Sequence, residues 1–224
     1  MKAFILGASG DIGQAIAKKF TVGGYQVIAP TRREMDLEDK NSIAAYLKQN
    51  VVLDVDVVIQ SAGWNSPKAF EDTTLADIDK THSINVTSFY QVLQHIVPAL
   101  IKKGDGHILA ISSIYGFIAR NKRLPYVMSK HALNGLVKTL AIELGRHNIK
   151  VNALAPGFVD TKMTRKNNDA VTIKDFEGKI PLGRLASVAD IAEVAYFLCS
   201  PLNRYITGQN IIVDGGYSIG GFQK

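Results

Sequence analysis

Two kinds of hydrophobic pattern alternate along the chain. Short, almost wholly apolar runs occur at Lys2–Leu6, Tyr25–Ala29, Val55–Gln60, His107–Ile111, Val151–Ala155 and Asn210–Val213. They are too short for helices and too uniformly apolar for strands with one wet face. They therefore predict strands buried on both faces of a parallel sheet. Between them lie longer stretches in which apolar residues recur every three or four positions. These predict helices over Asp11–Gly23, Asp39–Gln49, Thr74–Lys103, Pro125–His147 and Val188–Leu198. Pro98 predicts a break or kink in the third, and Pro125 suits the first turn of the fourth. The alternation is that of an α/β protein, a doubly wound parallel sheet of about six to seven strands with helices on both faces. In such sheets ligands bind beyond the carboxyl ends of the strands.

Composition narrows the picture. The 224 residues are 46% hydrophobic and 21% charged, with no internal repeat and no linker-like shift, so one domain spanning 1–224 is expected. The single cysteine, Cys199, excludes an intramolecular disulfide and fits a reducing compartment. Its apolar helical surroundings predict an inert core thiol. The amino-terminal apolar run is shorter than a signal peptide requires, and no stretch reaches the roughly 18 residues of a membrane span. A soluble cytoplasmic protein is expected, with no membrane partner. The net charge of +6 is scattered rather than clustered, which argues against nucleic acid. It suits a cofactor carrying several phosphates. No metal site is expected.

The stretch LGASGDIGQ places Gly7, Gly10 and Gly13 at a strand-to-helix junction. Glycines there let the backbone approach a pyrophosphate, and a helix start offers unpaired N–H groups and a partial positive charge. Asp11 puts an anion inside this anion cradle. The expectation is that it enters the first helical turn with its side chain turned from the phosphates, capping free N–H groups. After the second strand the chain reads Ala29-Pro30-Thr31-Arg32-Arg33, with no acid before the arginines. An acid there selects a ribose 2′-hydroxyl and a base selects a 2′-phosphate, so NADP(H) is expected over NAD(H). The plain alternative is two solvated surface arginines. Further on, Tyr126 and Lys130 lie four apart in PYVMSK, on one face of a predicted helix. A nearby ammonium favours phenolate, which makes such a tyrosine an acid/base near neutral pH.

The chain resembles the short-chain dehydrogenases/reductases over nearly its whole length. The motifs are GASGDIG, SAG at 61–63, INVTS at 84–88, ISSIYG at 111–116, YVMSK at 126–130, VNALAPGFVDT at 151–161 and ITGQNIIVDGG at 206–216. The look is that of compact members such as 3-oxoacyl-(acyl-carrier-protein) reductases and sugar-alcohol dehydrogenases. The resemblance implies a Rossmann fold and NADP(H)-dependent interconversion of a carbonyl and an alcohol. It implies Tyr126 as general acid/base, and Lys130 lowering its pKa and holding the nicotinamide ribose. Ser113, thirteen residues before Tyr126, would bond the substrate oxygen, whereas Ser112 reads as a turn residue bonding local backbone. Asn85 would hold a water of a proton relay, the alternative for it being a helix irregularity. The cofactor would be bound by Gly7, Ser9, Gly10, Asp11, Ile12, Gly13, Thr31, Arg32 and Arg33, with Asp36 and Leu37 flanking adenine. Ser61, Ala62 and Gly63 would pass the adenosine ribose. Pro156 and Gly157 would form a turn beside the nicotinamide, with Val159 and Thr161 at its carboxamide. The same resemblance implies a homotetramer or homodimer, pairing through the helices around 74–103 and 125–147, and a small-molecule substrate that is free or carrier-bound.

Four departures from the family pattern stand out. Asp11 occupies the place of the middle glycine in Gly-x-x-x-Gly-x-Gly, a spacing closer to the sugar-nucleotide-modifying branch. Only Pro30–Met35 separates the second strand from Asp36-Leu37, so one edge helix should be lost and the third strand should be minimal. The usual Asn-Asn-Ala-Gly reads Gln60-Ser61-Ala62-Gly63. The substrate loop, about 160–180, carries Lys162, Arg165, Lys166 and Lys174, either a basic rim for an acidic substrate or a solvated mobile lid. Two other functions stay open at this point: a sugar-nucleotide reductase or epimerase, and a non-catalytic NADP sensor.

Overall fold

A computed structural model describes residues 1–49 and 54–220. Six strands, β1 (Lys2–Leu6), β2 (Gln26–Ile28), β3 (Val57–Gln60), β4 (Gly106–Ile111), β5 (Ile149–Pro156) and β6 (Asn210–Val213), form one sheet in the order β2-β1-β3-β4-β5-β6. Every neighbouring pair is parallel. Eight α-helices accompany it among the described residues: α1 (Asp11–Val22), α2 (Lys40–Gln49), α3 (Leu75–His82), α4 (Ser88–Lys103), α5 (Leu124–Leu144), α6 (Lys162–Asn167), α7 (Ala170–Lys179) and α8 (Val188–Leu198).

The two-residue period of the strands divides the core. Phe4, Leu6, Val58, Ile108 and Ala110 point to one face and pack with residues of α2, α4 and α5 such as Ile43, Phe89 and Val137. Ala3, Ile5, Val57, Ile59, Leu109 and Ile111 point to the other and pack with α1 and α8 through Ile16, Phe20 and Ile191. Burial on both faces is why these strands read as unbroken apolar runs. The chain runs outward from β1 to β2, then crosses back to β3 on the far side of β1. The doubly wound Rossmann architecture thus opens a crevice at the carboxyl ends of β1 and β3.

Three expectations need correction. First, no strand forms between β2 and α2. Glu34 accepts hydrogen bonds from both the N–H (2.7 Å) and the hydroxyl (2.8 Å) of Thr31, closing a turn. That turn drops Met35, 2% exposed, into the core, and the sheet has six strands with β2 at its edge. Second, α4 continues through Pro98. Pro98 lies on the exposed side, where solvent can satisfy the carbonyl it leaves unpaired. The irregularity sits earlier, in a π-helical turn at Ser83–Thr87 between α3 and α4. Third, the segment after β5 holds two helices, α6 and α7. Their caps were present in the sequence: Thr161 accepts from Thr164 N–H, and Asp169 from Thr172 N–H.

Candidate active site

A cleft of about 470 Å³ follows the crevice, from the turn after β2, past the glycine loop, to the segments after β4 and β5. Of the residues singled out in the sequence, Gly7, Ser9, Gly10, Asp11, Ile12, Gly13, Arg32, Asp36, Leu37, Ser61, Ala62, Gly63, Ser113, Tyr126, Lys130, Pro156, Gly157, Val159 and Thr161 line it. Asn85, Thr31 and Arg33 do not. The walls also include Lys162 of the expected substrate loop, and Pro30, Met35, Glu38, Trp64, Ile84, Met163 and Thr164, which the sequence did not single out as site residues.

The three glycines do different jobs. Gly7 has φ +77°, and a Cβ there would lie 2.3 Å from the Ala62 nitrogen, so it lets the loops after β1 and β3 touch. A Cβ on Gly13 would fall 2.2 Å from the Gly7 carbonyl oxygen, so Gly13 seats α1 against its own loop. Gly10 alone faces space, its nearest neighbour 3.5 Å away. The close approaches at Gly7 and Gly13 are thus to protein, and the open place for a ligand phosphate is at Gly10, at the start of α1. Ser61 Oγ, on the same wall, is buried without a partner. An orphaned hydroxyl, an open glycine and a helix start suit the diphosphate and ribose of a dinucleotide.

Asp11 caps nothing in its own helix. Its carboxylate reaches to the head of α6 and accepts the Lys162 N–H at 2.6 Å. The anion is spent on the segment that covers the cleft, which answers why it is tolerated in the loop.

At the far end of the crevice, Arg32 is already engaged. It donates to Asp36 (3.3 Å) and Glu38 (2.8 Å), and Lys80 reaches the other oxygen of Glu38 at 3.1 Å. Arg33 does not line the cleft, so of the two expected phosphate-binding arginines Arg32 alone is on its wall, shared with two carboxylates.

Around the reacting end, Lys130 is 2% exposed and donates to the Ile111 carbonyl at 2.7 Å, with its ammonium 5.3 Å from the centre of the Tyr126 ring. Burial pulls its pKa down to about 7. Desolvation pushes the Tyr126 phenol up to about 12, against a hydrogen bond with Ser113 that works in the opposite direction. The expected depression of Tyr126 by Lys130 is therefore absent in the ligand-free protein. Instead Tyr126 is held as a phenol, a proton donor at neutral pH. Ser113 Oγ also accepts the Tyr115 N–H (3.2 Å), while Ser112 donates to Asn134 on α5 (2.8 Å) instead of bonding local backbone.

Asn85 lies in the π-helical turn, fully buried. Its side chain accepts from Trp64 N–H (2.7 Å) and donates to the Trp64 carbonyl (3.1 Å) and to Ser129 Oγ (2.9 Å). Both amide protons are used, so Asn85 ties the loop after β3 to α5. Gln60 replaces the expected asparagine chemistry: it donates to the Ile84 carbonyl (3.1 Å) and accepts from Ala62 N–H (3.2 Å). Among the described residues, no cluster of His, Cys, Asp or Glu could hold a metal ion, and no helix is long and apolar enough to cross a membrane. Cys199 is 1% exposed and burial pushes its thiol pKa upward, as an inert core thiol requires.

The arrangement has relatives. A family model described as Enoyl-(Acyl carrier protein) reductase matches residues 29–218. The chain is 36% identical to a 3-oxoacyl-(acyl-carrier-protein) reductase of Aquifex aeolicus (strain VF5), covering 95% of this chain and 85% of that one. It is 32% identical to 7alpha-hydroxysteroid dehydrogenase of Escherichia coli (strain K12), covering 96% and 92%. In structure it is similar to a protein described as an NAD(P)-dependent gluconate 5-dehydrogenase of Beutenbergia cavernae, with bound NADP. That match has TM-score 0.93 and 29% identity, covering 98% of this chain and 97% of that one. Such identity along nearly the whole chain, on a sheet of this order with a cleft of this lining, establishes that the protein belongs to the short-chain dehydrogenase/reductase family.

Proposed function

We propose that this chain is an NADP(H)-dependent oxidoreductase that interconverts a carbonyl compound and an alcohol, with the whole chain as one cofactor-binding domain and 160–180 as its substrate loop. One observation carries the reading. Ser113, Tyr126 and Lys130 share the wall of one cleft with a glycine loop whose open position, Gly10, faces a helix start. NADP(H) as the cofactor is supported by relatives with bound NADP and by Arg32 on the cleft wall. Bound there, the nicotinamide would donate or accept the hydride.

The chain's own residues supply the rest. Ser113 and Tyr126 would hold the carbonyl oxygen between two hydroxyls, favouring the negative charge that develops on it. As the carbon gains hydride, Tyr126 transfers its proton to that oxygen, leaving an alcohol and a phenolate. Lys130, beside the phenolate, stabilises it and passes a proton back; the reverse sequence oxidises an alcohol. Asn85 acts as a positioning residue that fixes Trp64 and Ser129 around the site. A soluble cytoplasmic homotetramer or homodimer fits this reading, and the exposed Tyr90 on α4 and Ile142 on α5 are apolar surface on the helices expected to pair.

The test is NADPH oxidation with a panel of ketones and aldehydes, alongside Tyr126→Phe. Turnover should fall at least a hundredfold in the variant while NADPH binding persists. Unchanged turnover would overturn the proton-donor role.

A further inference from the structure

Arg123 heads α5, one turn before Tyr126, and is 6% exposed. Its Nη1 is buried without a hydrogen-bond partner. Among the described residues no carboxylate lies within ion-pairing distance of it, and the charged or titratable groups that act on it are Arg120, Tyr115 and Tyr126. A guanidinium stays ionised even when burial and a neighbouring arginine press its pKa down, as they do here. A buried cation without an anion is a standing cost to the fold, which calls for a partner that the chain does not supply.

The surroundings say where that partner sits. Tyr126 lines the large cleft and also packs into a cluster under the lid, with Tyr115, Phe158, Phe176 and Tyr217. Arg123 is not on the cleft wall; it belongs to the lid side of Tyr126, within electrostatic reach of both phenols. Arg120 stands in the same place but is better satisfied. It donates to Tyr115 Oη at 2.8 Å and to Asn168 at 3.5 Å, and it lies 4.8 Å from the Phe176 ring centre. Two guanidinium groups and aromatic walls thus stand on the lid side of the phenol that lines the cleft, and no acid acts on Arg123.

We propose that Arg123 is a substrate-binding residue that pairs with a carboxylate, so that the preferred substrate is a small oxo acid or the corresponding hydroxy acid. The proposal rests on the reading of the cleft as a carbonyl-reducing site. The planar fork of arginine matches a carboxylate in two parallel hydrogen bonds, and in this dry setting it discriminates strongly against a neutral group. The aromatic walls would cover the carbon chain between carboxylate and carbonyl.

The test uses oxo acids of about four to six carbons, each compared with its own primary amide. Both are assayed by NADPH oxidation and by calorimetric binding to the NADP-bound protein, for the parent, Arg123→Met and Arg123→Lys. The parent should favour the acid at least tenfold. The preference should vanish in Arg123→Met and return in part in Arg123→Lys. The melting temperature of ligand-free Arg123→Met should equal or exceed that of the parent, because an unpaired buried charge has been removed. Equal handling of acid and amide by the parent overturns the proposal, as does a preference that survives Arg123→Met, or a fall in that variant's melting temperature. If no carbonyl compound is reduced, the functional reading fails by itself, and the binding comparison still decides the carboxylate site.

Discussion

Replacing Asp11 with alanine removes a side-chain contact that joins the glycine loop to the head of α6. The carboxylate accepts the Lys162 N–H at 2.6 Å, and the Lys162 ammonium stands 4.0 Å away. The ammonium is 92% exposed and contributes little. A hydrogen bond to a charged acceptor contributes about 1.5–3 kcal/mol when shielded, and Asp11 keeps 23% of its side chain in water. A net value of about 1 kcal/mol follows, roughly fivefold in the ratio of docked to undocked α6. The assay is amide hydrogen exchange in the ligand-free protein. Residues 162–167 should exchange about fivefold faster in Asp11→Ala, with β4 unchanged. NADPH should bind the variant at least as tightly as the parent, because an anion has left a loop that faces phosphates. Equal exchange at 162–167 would refute the latch. Loss of NADPH binding would mean that Asp11 serves the cofactor instead.

Three other substitutions probe separate parts of the site. Gly7→Ala forces a side chain into the left-handed region and against Ala62; strain and overpacking together cost about 3 kcal/mol, a fall of about 6–12 °C in melting temperature, and a change under about 2 °C would contradict the packing role. For Lys130, the folded pKa of about 7 lies below the ordinary 10.5, so the unfolded chain binds more protons between those values. The penalty for burying the charge is full below pH 7 and is relieved as pH rises towards 10.5. The melting temperature of ligand-free Lys130→Met, relative to the parent, should therefore stay level below pH 7 and decline from about pH 7 to pH 10; a flat difference throughout argues against the depressed pKa. Arg32→Ala should weaken NADPH more than NADH, whereas Arg33→Ala should leave their ratio unchanged; equal effects of the two on that ratio would reject the one-arginine assignment.

Much of this was legible in the sequence because it is local. Strand and helix positions follow from hydrophobic period, and the strand–loop–helix context of Gly7, Gly10 and Gly13 is contiguous. The Tyr126–Lys130 pair is one helical turn. What escaped is contact between distant segments. Gly7 looks like a phosphate glycine until Ala62 is seen against it, and Asp11 looks like a cap for α1 until α6, some 150 residues later, is placed on top. The π-helical turn at Ser83–Thr87 was signalled only by Asn85, whose alternative reading was a helix irregularity, and its cause lies in distant contacts. It has no local breaker; its widened backbone places Asn85 to be gripped by Trp64 on one side and Ser129 on the other. Pro98 had the opposite history: a strong local breaker made harmless by facing water.

Charge is where local reading and folded structure diverge most. The net +6 and the Arg32-Arg33 pair point to the cofactor's phosphate as the place where positive charge is spent. In the fold, Arg32 is held by Asp36 and Glu38, and Glu34 closes the turn beside it, so charge at the end of the crevice next to β2 is close to balanced. Beside the reacting phenol, buried Arg123 meets no acid among the described residues. The run Arg-Asn-Lys-Arg at 120–123 does not announce the burial of Arg123, since its sequence neighbours say nothing about what packs over it. A buried charge acquires meaning only from what surrounds it in space. Arg123, buried without an acidic partner beside Tyr126, makes the charge of the substrate the property on which the proposed site should discriminate most sharply.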